Sequence, residues 1–556
     1  MGDGIVSDQE GKSEFDLAKV DEFVKAHRFT RRDALKGALA LGAFAGLGPL
    51  ASACGGSSSS SSSPSASASS ASGSKKGGHI RSGIGGGSAK DTLDAHLATS
   101  EVQIGTQWQL YDSLLGWDEK HQLVMLLAES YEKNADATQH TVKLKSGLTF
   151  HDGKPVTADD VVFSFQRILD PKTGAIGANT LTGLKASGIK KVDDLTVTFT
   201  LTQPNVIFYE ALAYYNNAIV PVGYAPKGAT GAIGTGPWKV TSFFPGQRVE
   251  FDANTNYWGA GPYADKLTMI EFADPSAKLN ALLGGTVDHI TLVDSSQAGT
   301  VQSNSAVALL QAKSGAWDPF TMRIDVKPFN DVRVRQAFRL IVDREQMVQQ
   351  AKGGFAWVGN DMYAPFDPGY PKNLPQRAQD LAQAKSLLKA AGYDNNLTVE
   401  LTTSTAVGAS DVAAAQVFAE QAKGAGVTVN VNKVDPSVFY GDQYLKWPFA
   451  QDFWATRNYL PQVQVGTSPT APYNETHWKD PQWQKLIDQA FKTVDDTQRN
   501  ALISQAEQIE YERGGLIIWS FNITLDAYTK KLQGVVEDNW GANSACRCRY
   551  NLMYFA

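Results

Sequence analysis

The sequence predicts an α/β fold with mixed sheets. Alternating apolar residues in Thr141–Leu144 and Leu195–Leu201 are typical of strands, and segments of helical periodicity lie between such strands. Residues 397–431 read as strand, helix and strand, with the helix at about Asp411 to Lys423, which is the pattern of a parallel βαβ unit. The combination favours an α/β architecture with antiparallel additions.

The helices can be placed by their caps. Thr157 precedes a helix in which Asp160 favours the positive end of the dipole. Asp331 and Asp380 each precede another helix, and Gly392 closes the second of these. The apolar faces consist of Val161, Val162, Phe165, Ile168 and Leu169 after Thr157, of Val334, Phe338, Ile341 and Val342 after Asp331, and of Leu381, Ala384, Leu387 and Leu388 after Asp380.

Composition excludes some functions. With 42% hydrophobic and 19% charged residues and a formal net charge of −6, the 556-residue chain is typical of a slightly acidic soluble protein. Because there is no basic excess, we expect no nucleic-acid partner. The part that follows residue 77 is long enough for two or three domains with substantial cores.

Residues 1–53 read as an export signal. Arg31 and Arg32 resemble the twin-arginine motif of proteins exported in folded form, with Ala34 where that pattern often has Phe. The apolar run that follows, about Ala38 to Ala53, is shorter than the about 20 residues a membrane-spanning helix requires. We therefore expect a twin-arginine-type signal peptide that is removed on export.

Residues 54–77 read as a lipid anchor and a tether. Leu50-Ala-Ser-Ala-Cys54 resembles a bacterial lipobox, in which Cys54 becomes the lipid-bearing first residue. Ala51 to Ala53 equally fits an ordinary signal-peptidase site, which would leave Cys54 unmodified. The serine-rich tract has almost nothing to bury and predicts a flexible tether at the outer face of the cytoplasmic membrane.

The sequence contains no recognisable catalytic motif. It has no G-x-S-x-G elbow, no H-E-x-x-H, no phosphate loop and no G-x-G-x-x-G after a strand. His151 lies in a Gly-Pro turn, where we expect it to bond the backbone. The pairs Asp159-Asp160 and Asp495-Asp496 fall at helix starts and suit the helix dipole. The protein is therefore predicted not to be an enzyme.

Cys546 and Cys548 leave two alternatives open. An exported protein could join them, although a C-x-C disulfide closes a small, strained ring, or they could be free thiols at a strand end. Two cysteines without matching histidine spacing argue against zinc, so no metal and no cofactor are predicted.

Seven segments, in order, resemble the peptide/nickel-type extracellular solute-binding proteins of family 5, the receptors of bacterial ABC importers. The resemblance runs from about Gly78 to the C-terminus, and the ordered set is more specific than any single motif. The segments are Asp91–Asp94 with His96 (family DTLDPH), Tyr111–Leu115 (YDSLL), Leu148–Val162 (FHDGKPVTADDVVFS), Gly234–Trp238 (GTGPY), Asn256–Gly259 (NYWG), Pro328–Ala337 with Asp343 and Arg344 (PFNDVRVRQAL, DR), and Asp380–Gly392 (AKxLLxEAGY).

Several of these motif residues have structural explanations. Gly234 and Gly236 allow tight backbone geometry where the chain changes domain, and Trp258 is expected in a core. Arg333 and Arg335 are expected to pair with carboxylates near their helix.

The resemblance implies a periplasmic-binding-protein-like clam (type II, cluster C) with three lobes and a hinge. The first lobe would combine residues 78–107, 231–316 and 520–556. The second would span 108–230 and the third 317–519. Closure about the hinge would trap a solute that contacts both sides.

The resemblance also implies a site. Placing Trp454 on the family's tryptophan puts Arg457 where peptide receptors of the family often carry the aspartate that meets the peptide amino group. Arg457 could instead bind a carboxylate or phosphate, or it could pair within its lobe. Asp452, Asp318 and Glu475 remain possible amine partners. The expected ligand contacts are Trp454, Ala455, Thr456, Arg457, Asn458, Tyr459, Trp317, Phe320, Thr99 and Ser100.

The segment Leu460 to Thr476, with three prolines, reads as a long loop that could shape the pocket.

The function implied is an importer receptor for short peptides. Anionic opine-like solutes and oligosaccharides are variants of the same role, and a secreted hydrolase or a sensor on the same fold is the competing class. The implied partners are a solute, ABC permease subunits and the membrane through the lipid anchor, with the receptor as a monomer. Nickel is a weaker option, because the sequence shows no His or Cys cluster for direct coordination.

Overall fold

A computed structural model describes residues 77–405, 409–541 and 544–556. The predicted signal peptide, Cys54 and the tether up to residue 76 lie outside these residues. In the described part of the chain, every helix is too short or too polar to cross a bilayer.

Strands and helices alternate along the chain. The strands are β1 (His79–Ile84), β2 (Leu115–Trp117), β3 (Leu123–Met125), β4 (Ala128–Lys133), β5 (Gln139–Leu144), β6 (Leu184–Lys191), β7 (Thr196–Leu201), β8 (Trp238–Phe244), β9 (Arg248–Ala253), β10 (Lys266–Glu271), β11 (His289–Ile290), β12 (Val307–Trp317), β13 (Phe320–Met322), β14 (Ala356–Val358), β15 (Leu397–Ser404), β16 (Val427–Val434), β17 (Phe449–Gln451), β18 (Leu516–Ile517), β19 (Ser520–Thr529), β20 (Leu532–Gln533) and β21 (Tyr554–Phe555). The helices are α1 (Glu101–Leu110), α2 (Ala158–Leu169), α3 (Phe208–Ala213), α4 (Pro275–Leu283), α5 (Ala298–Ser303), α6 (Val332–Ile341), α7 (Arg344–Lys352), α8 (Leu381–Ala390), α9 (Ala409–Lys423), α10 (Pro436–Phe439), α11 (Tyr459–Gln462), α12 (Pro481–Ala490) and α13 (Asp496–Arg513).

The largest sheet is assembled from distant parts of the chain. Its order is β12-β19-β11-β1-β10-β9-β8, and β14 also pairs with β19. Strand β1 is parallel to both β10 and β11, whereas the other pairs are antiparallel. This mixture of directions confirms the predicted combination of parallel and antiparallel strands.

A four-stranded antiparallel sheet, β4-β5-β7-β6, packs against helix α2. Both strands predicted here, β5 and β7, are present. Helix α2 begins after Thr157, whose backbone N–H donates to Asp160 Oδ2 over 2.9 Å, so the cap predicted from sequence is confirmed. Val161, Phe165 and Ile168 of α2 are fully buried against the sheet.

A five-stranded sheet, β16-β15-β17-β13-β18, contains the predicted βαβ unit. Strands β15 and β16 are parallel and helix α9 connects them. Asp331 and Asp380 accept backbone N–H groups at the starts of α6 and α8, as predicted. Gly392 follows the end of α8 with φ of +95°, which is the reason a glycine closes this helix.

Two short connections of two residues each join the largest sheet directly to the five-stranded sheet. Strand β12 leads into β13 through residues 318–319, and β18 leads into β19 through residues 518–519. Asp318 and Trp519 lie in these connections and contact each other, because the Trp519 indole N–H donates to the Asp318 carbonyl over 3.0 Å. Both are buried, so the connections lie side by side inside the protein.

Two buried arginines hold the end of helix α13. The guanidinium of Arg335 donates to the backbone carbonyls of Phe329, Arg513 and Gly514, and that of Arg339 donates to Glu510, Tyr511 and Leu516. The expected pairing of Arg335 with a carboxylate is therefore wrong, because the unpaired carbonyls at a helix end take its donors instead. Arg333 does pair with a carboxylate, that of Asp331, at 2.6 Å.

Other motif residues also have structural roles. His151 contacts the Gly236 carbonyl through Nε2 at 3.1 Å and accepts the Gly234 N–H at Nδ1, so it is the turn residue that was predicted. Trp258 is half-buried and donates its indole N–H to Asp112 Oδ2 over 2.9 Å. Cys546 and Cys548 are buried free thiols, which decides between the two alternatives for this pair.

Gly234 lies where the backbone returns to the largest sheet, and there is no room for a side chain. A Cβ atom at this position would lie 1.9 Å from the Leu110 carbonyl oxygen. We expect Gly234→Ala to lower the free energy of unfolding by about 1–3 kcal/mol, since backbone must move to relieve the clash. Urea unfolding followed by tryptophan fluorescence would measure this change.

Gly299→Ala is the matched control. Gly299 lies in helix α5, where an added Cβ atom would meet nothing within 4 Å, so stability should be unchanged or slightly higher. Equal stability of wild type and Gly234→Ala would contradict the close packing described.

Candidate functional site

The segment after strand β17 lies where the two sheets meet. Trp454 and Trp317 exchange two backbone hydrogen bonds, of 2.8 and 3.0 Å. Two residues on, the Thr456 hydroxyl accepts the Gly315 N–H over 3.0 Å and donates to the Trp540 carbonyl over 2.9 Å. Backbone and side chain thus fix residues 454–456 against the end of β12 and the C-terminal part of the chain.

A stack of aromatic rings leads from this segment into the core. Trp454 lies on Trp317 with ring centroids 6.1 Å apart, Trp317 on Tyr363 at 5.5 Å, and Tyr363 on Tyr459 at 5.1 Å. Tyr459 is fully buried and donates its hydroxyl to Glu510, while the Trp483 indole donates to the Tyr459 oxygen over 2.8 Å. The stack gives Trp454 a rigid support.

Among the described residues, no carboxylate forms a close ion pair with Arg457. Its guanidinium lies over the Trp454 ring, 5.6 Å from the centroid, and its hydrogen bond to Gln462 Oε1 is long, at 3.5 Å. Burial lowers the pKa of Arg457, although the group stays cationic at neutral pH. An unpaired, partly desolvated guanidinium favours binding of an external anion.

Glu210, on helix α3, is the carboxyl group that faces this arginine. Asn458 Nδ2 donates to Glu210 Oε1 over 3.2 Å. Burial raises the pKa of Glu210 to about 8, and the nearby Asp367 contributes to the rise. Glu210 is therefore largely uncharged at pH 7 and does not neutralise Arg457.

An acidic cluster also lies near Trp454. Lys352 Nζ contacts Asp318 Oδ2 at 2.5 Å and Asp411 Oδ1 at 3.9 Å. Asp452 accepts the Tyr440 hydroxyl over 2.7 Å, and Glu475 lies next to Asp452. Lys352 thus neutralises Asp318, while the other carboxyl groups have no cation of their own among the described residues.

Asp452 and Glu475 are the two carboxyl groups of this cluster that lie against each other. Both carboxyl groups are buried, and Glu475 lies against Asp452 with the Trp454 indole beside it. Burial, followed by the charge of Asp452, raises the pKa of Glu475 well above its usual value. Burial also raises the pKa of Asp452. Burial of carboxyl groups without a cationic partner costs free energy, and a bound cation would supply that partner.

Aromatic side chains form the surface above this acidic pair. Tyr473 and Phe453 are each 47% exposed. The Tyr473 ring lies 6.4 Å from the rings of both Trp454 and Tyr444. Arg457 and Tyr473 thus both pack against the Trp454 ring, and Asp452 and Glu475 form a buried carboxyl pair near the same residue.

The predicted contact residues fall into separate places. Phe320 is fully buried between Phe418 and Phe449, which leaves its ring no accessible face. Ser100 caps helix α1, and the exposed Thr99 bonds the side chain of Gln103 in that first turn. Trp317, Trp454, Ala455, Thr456, Arg457, Asn458 and Tyr459 form one contiguous group.

Sequence reasoning missed other residues of this surface. Glu210, Tyr440, Tyr444 and Tyr473 come from three separate segments, and no spacing in the sequence relates them. The loop predicted from Leu460 to Thr476 begins differently, because helix α11 covers its start and Val463–Thr467 form a π-helical turn. The irregular part therefore begins only at residue 468.

Relatives with curated descriptions cover most of the chain. Glutathione-binding protein GsiB from Pectobacterium atrosepticum is 25% identical over 468 residues, which cover 81% of this chain and 90% of that protein. A putative ABC transporter peptide-binding protein from Brucella ovis is 31% identical over 323 residues, covering 56% of this chain and 60% of the relative.

A solved structure has the same fold. The ABC transporter substrate-binding protein CtaP from Listeria monocytogenes superposes with a TM-score of 0.75 and 23% identity, and the match covers 86% of this chain and 99% of that one. This confirms the predicted periplasmic-binding-protein-like α/β fold.

The model of bacterial extracellular solute-binding proteins, family 5, matches residues 122–471, which is more than half of the chain. These residues include the segment that carries Trp454 and Arg457. The chain therefore belongs to family 5 of the bacterial extracellular solute-binding proteins.

Proposed function

We propose that the protein is the extracytoplasmic receptor of an ABC importer and captures short peptides between two lobes for delivery to the permease. The observation that carries this proposal is the segment around Trp454, where Arg457 has no ion-pair partner among the described residues and where Asp452 and Glu475 form a buried carboxyl pair without a cation of its own. A short peptide has a carboxylate and an ammonium group at its two ends and is complementary to both. An anionic opine-like solute would use Arg457 alone, and an oligosaccharide would use mainly the aromatic rings.

The proposed lobes follow the sequence division. Residues 78–107, 231–316 and 520–556 form the first lobe, 108–230 the second and 317–519 the third. The connections at residues 318–319 and 518–519 are the proposed hinge, since they are short and join strands of the two sheets directly. Asn458 of the third lobe already contacts Glu210 of the second, so opening of the proposed lobes would separate this contact and admit a solute next to Arg457.

The proposed anchor is Cys54. A lipid on this residue, followed by the tether up to residue 77, would hold a monomeric receptor at the outer face of the cytoplasmic membrane within reach of its permease. A secreted hydrolase or a sensor is the less favoured alternative, and turnover of the captured solute would support the hydrolase.

Solute capture should change the shape of the protein. We expect the radius of gyration, measured by small-angle X-ray scattering, to fall when a bound short peptide closes the lobes, because contacts to both sides favour the closed population. Mass spectrometry of material released on denaturation would identify the cargo for this experiment. An unchanged scattering curve with the true cargo, or a chemically altered cargo, would refute the proposal.

Arg457→Gln should weaken binding of a peptide with a free carboxylate. The loss of a desolvated charge pair predicts a decrease of about 2–3 kcal/mol in binding free energy, measured by isothermal titration calorimetry. The same peptide with an amidated C-terminus is the control ligand, and the variant should bind it about as well as wild type. Equal losses for both peptides would remove Arg457 from carboxylate recognition.

Glu475→Gln should remove a pH dependence of binding. Burial and the neighbouring Asp452 raise the pKa of Glu475 well above its usual value, and pairing with an ammonium group would lower it again, so binding should release protons and affinity should rise with pH. The glutamine variant should show a flatter profile and weaker binding of peptides with a free amino terminus. Calorimetry in two buffers of different ionisation enthalpy would count the proton, and an N-acetylated peptide is the control ligand. Wild-type binding without proton release would contradict the assignment.

A further inference from the structure

The cluster of His289, Asp526 and Cys546 lies away from the proposed solute surface. His289 is on strand β11, Asp526 is on the neighbouring β19, and Cys546 is in the turn near the C-terminus. All three side chains are fully buried. Their histidine nitrogen, carboxylate oxygen and sulfur all lie within 4.8 Å of one another.

The distances fit the edges of a metal tetrahedron. His289 Nε2 lies 3.3 Å from Asp526 Oδ2 and 3.5 Å from Cys546 Sγ. Zinc bonds of about 2.0–2.1 Å to nitrogen, about 2.0–2.2 Å to oxygen and about 2.3 Å to sulfur, at tetrahedral angles, give N–O edges of about 3.4 Å and N–S edges of about 3.6 Å. The two edges at His289 Nε2 therefore match those of a zinc tetrahedron, and the carboxylate oxygen and the sulfur lie within 4.8 Å of each other.

The residues around the cluster hold each donor in place. His289 Nδ1 contacts Ser82 Oγ at 3.0 Å, and Ser82 Oγ contacts the Tyr550 hydroxyl at 2.7 Å. When Nδ1 carries the proton and donates it to Ser82, the lone pair of Nε2 faces the cluster. Such a bond on the second ring nitrogen is usual for histidines that bind metals.

The carboxylate and the thiol are also fixed. Asp526 Oδ1 accepts the Leu292 N–H over 3.0 Å, and Oδ2 accepts the Ser544 hydroxyl over 2.6 Å. Arg547 and Cys548 follow Cys546 with φ of 48° and 50°, so two successive residues that are not glycine have left-handed backbone. This uncommon turn directs the Cys546 thiol toward the histidine.

We propose that His289 Nε2, Asp526 Oδ2 and Cys546 Sγ bind a zinc-type divalent ion that has a structural role. On binding, the thiol loses its proton to solvent and a metal–sulfur bond forms, without change of oxidation state. Carboxylate and thiolate together balance the charge of the ion in a site with no exposed ligand. The Ser544 hydroxyl, 3.2 Å from Sγ, is within reach of the fourth position.

The proposed role is to join two sheet strands to the C-terminal turn. His289 and Cys546 are 257 positions apart in the chain, which is why cysteine and histidine spacing argued against a metal. Because the ligands are buried, the ion would enter during folding and leave only on unfolding.

The test measures zinc in tag-free protein that has been refolded with Zn²⁺ and dialysed. Unfolding in guanidinium with a chromogenic chelator should release about one zinc ion per chain from wild type, and at least about tenfold less from Cys546→Ser. Cys548→Ser is the matched control, because this buried thiol faces Gly105 rather than His289 and its loss should leave the zinc content unchanged.

A second measurement covers the case that Cys546→Ser does not fold. Wild type and Cys548→Ser refolded with Co²⁺ should both show the charge-transfer absorption of a cobalt–thiolate bond. If wild type shows neither bound zinc nor this absorption, the proposal is overturned, and the three side chains are only a hydrogen-bonded network. Zinc content that is equal in folded Cys546→Ser and wild type would also overturn it, as adventitious binding. Neither result depends on solute binding.

Discussion

The backbone pairing of Trp317 with Trp454 is the contact on which the proposed site depends. Trp317 is the last residue of β12, immediately before the chain enters the five-stranded sheet, so this pairing ties the site segment to a short connection between the two sheets. The aromatic stack beneath Trp454 and the two hydrogen bonds of Thr456 leave that segment little freedom. Rigid placement reduces the conformational entropy that a solute would otherwise have to offset on binding.

Some charged side chains near this pairing have partners within the protein, and others do not. Lys352 neutralises Asp318 in the connection between β12 and β13, and Arg335 and Arg339 donate to backbone carbonyls, most of them at the end of α13. Arg457 and the Asp452–Glu475 pair lack equivalent partners among the described residues. Buried charged groups without partners lower the stability of a protein. Such groups are typical of binding sites, where a ligand supplies the missing partner. The charged groups that have partners therefore belong to the supporting structure, and the groups whose burial lowers stability belong to the proposed site.

Local signals in the sequence predicted local structure well. The caps at Thr157, Asp331 and Asp380, the strand–helix–strand unit and the closing Gly392 depend on neighbouring residues, and the structure confirms them. Contacts between distant residues were not predictable. Arg335 was expected to meet a carboxylate and meets helix carbonyls instead, and Phe320 is enclosed in a core although its position in the chain suggested the cleft. In both cases tertiary packing decided the role of the side chain.

Arg457 shows how a family resemblance and the geometry complement each other. The resemblance identified the position by its distance from Trp454, but it could not say whether the arginine was neutralised within the protein. The structure shows Glu210 beside it, held by Asn458, and burial raises the pKa of this carboxyl group to about 8. At neutral pH the nearest carboxyl group is thus mostly uncharged, and the guanidinium keeps its affinity for an anion. The reversal of charge relative to the aspartate expected from the resemblance would then leave Asp452 and Glu475, which also lie near Trp454, as the acidic part of the proposed site.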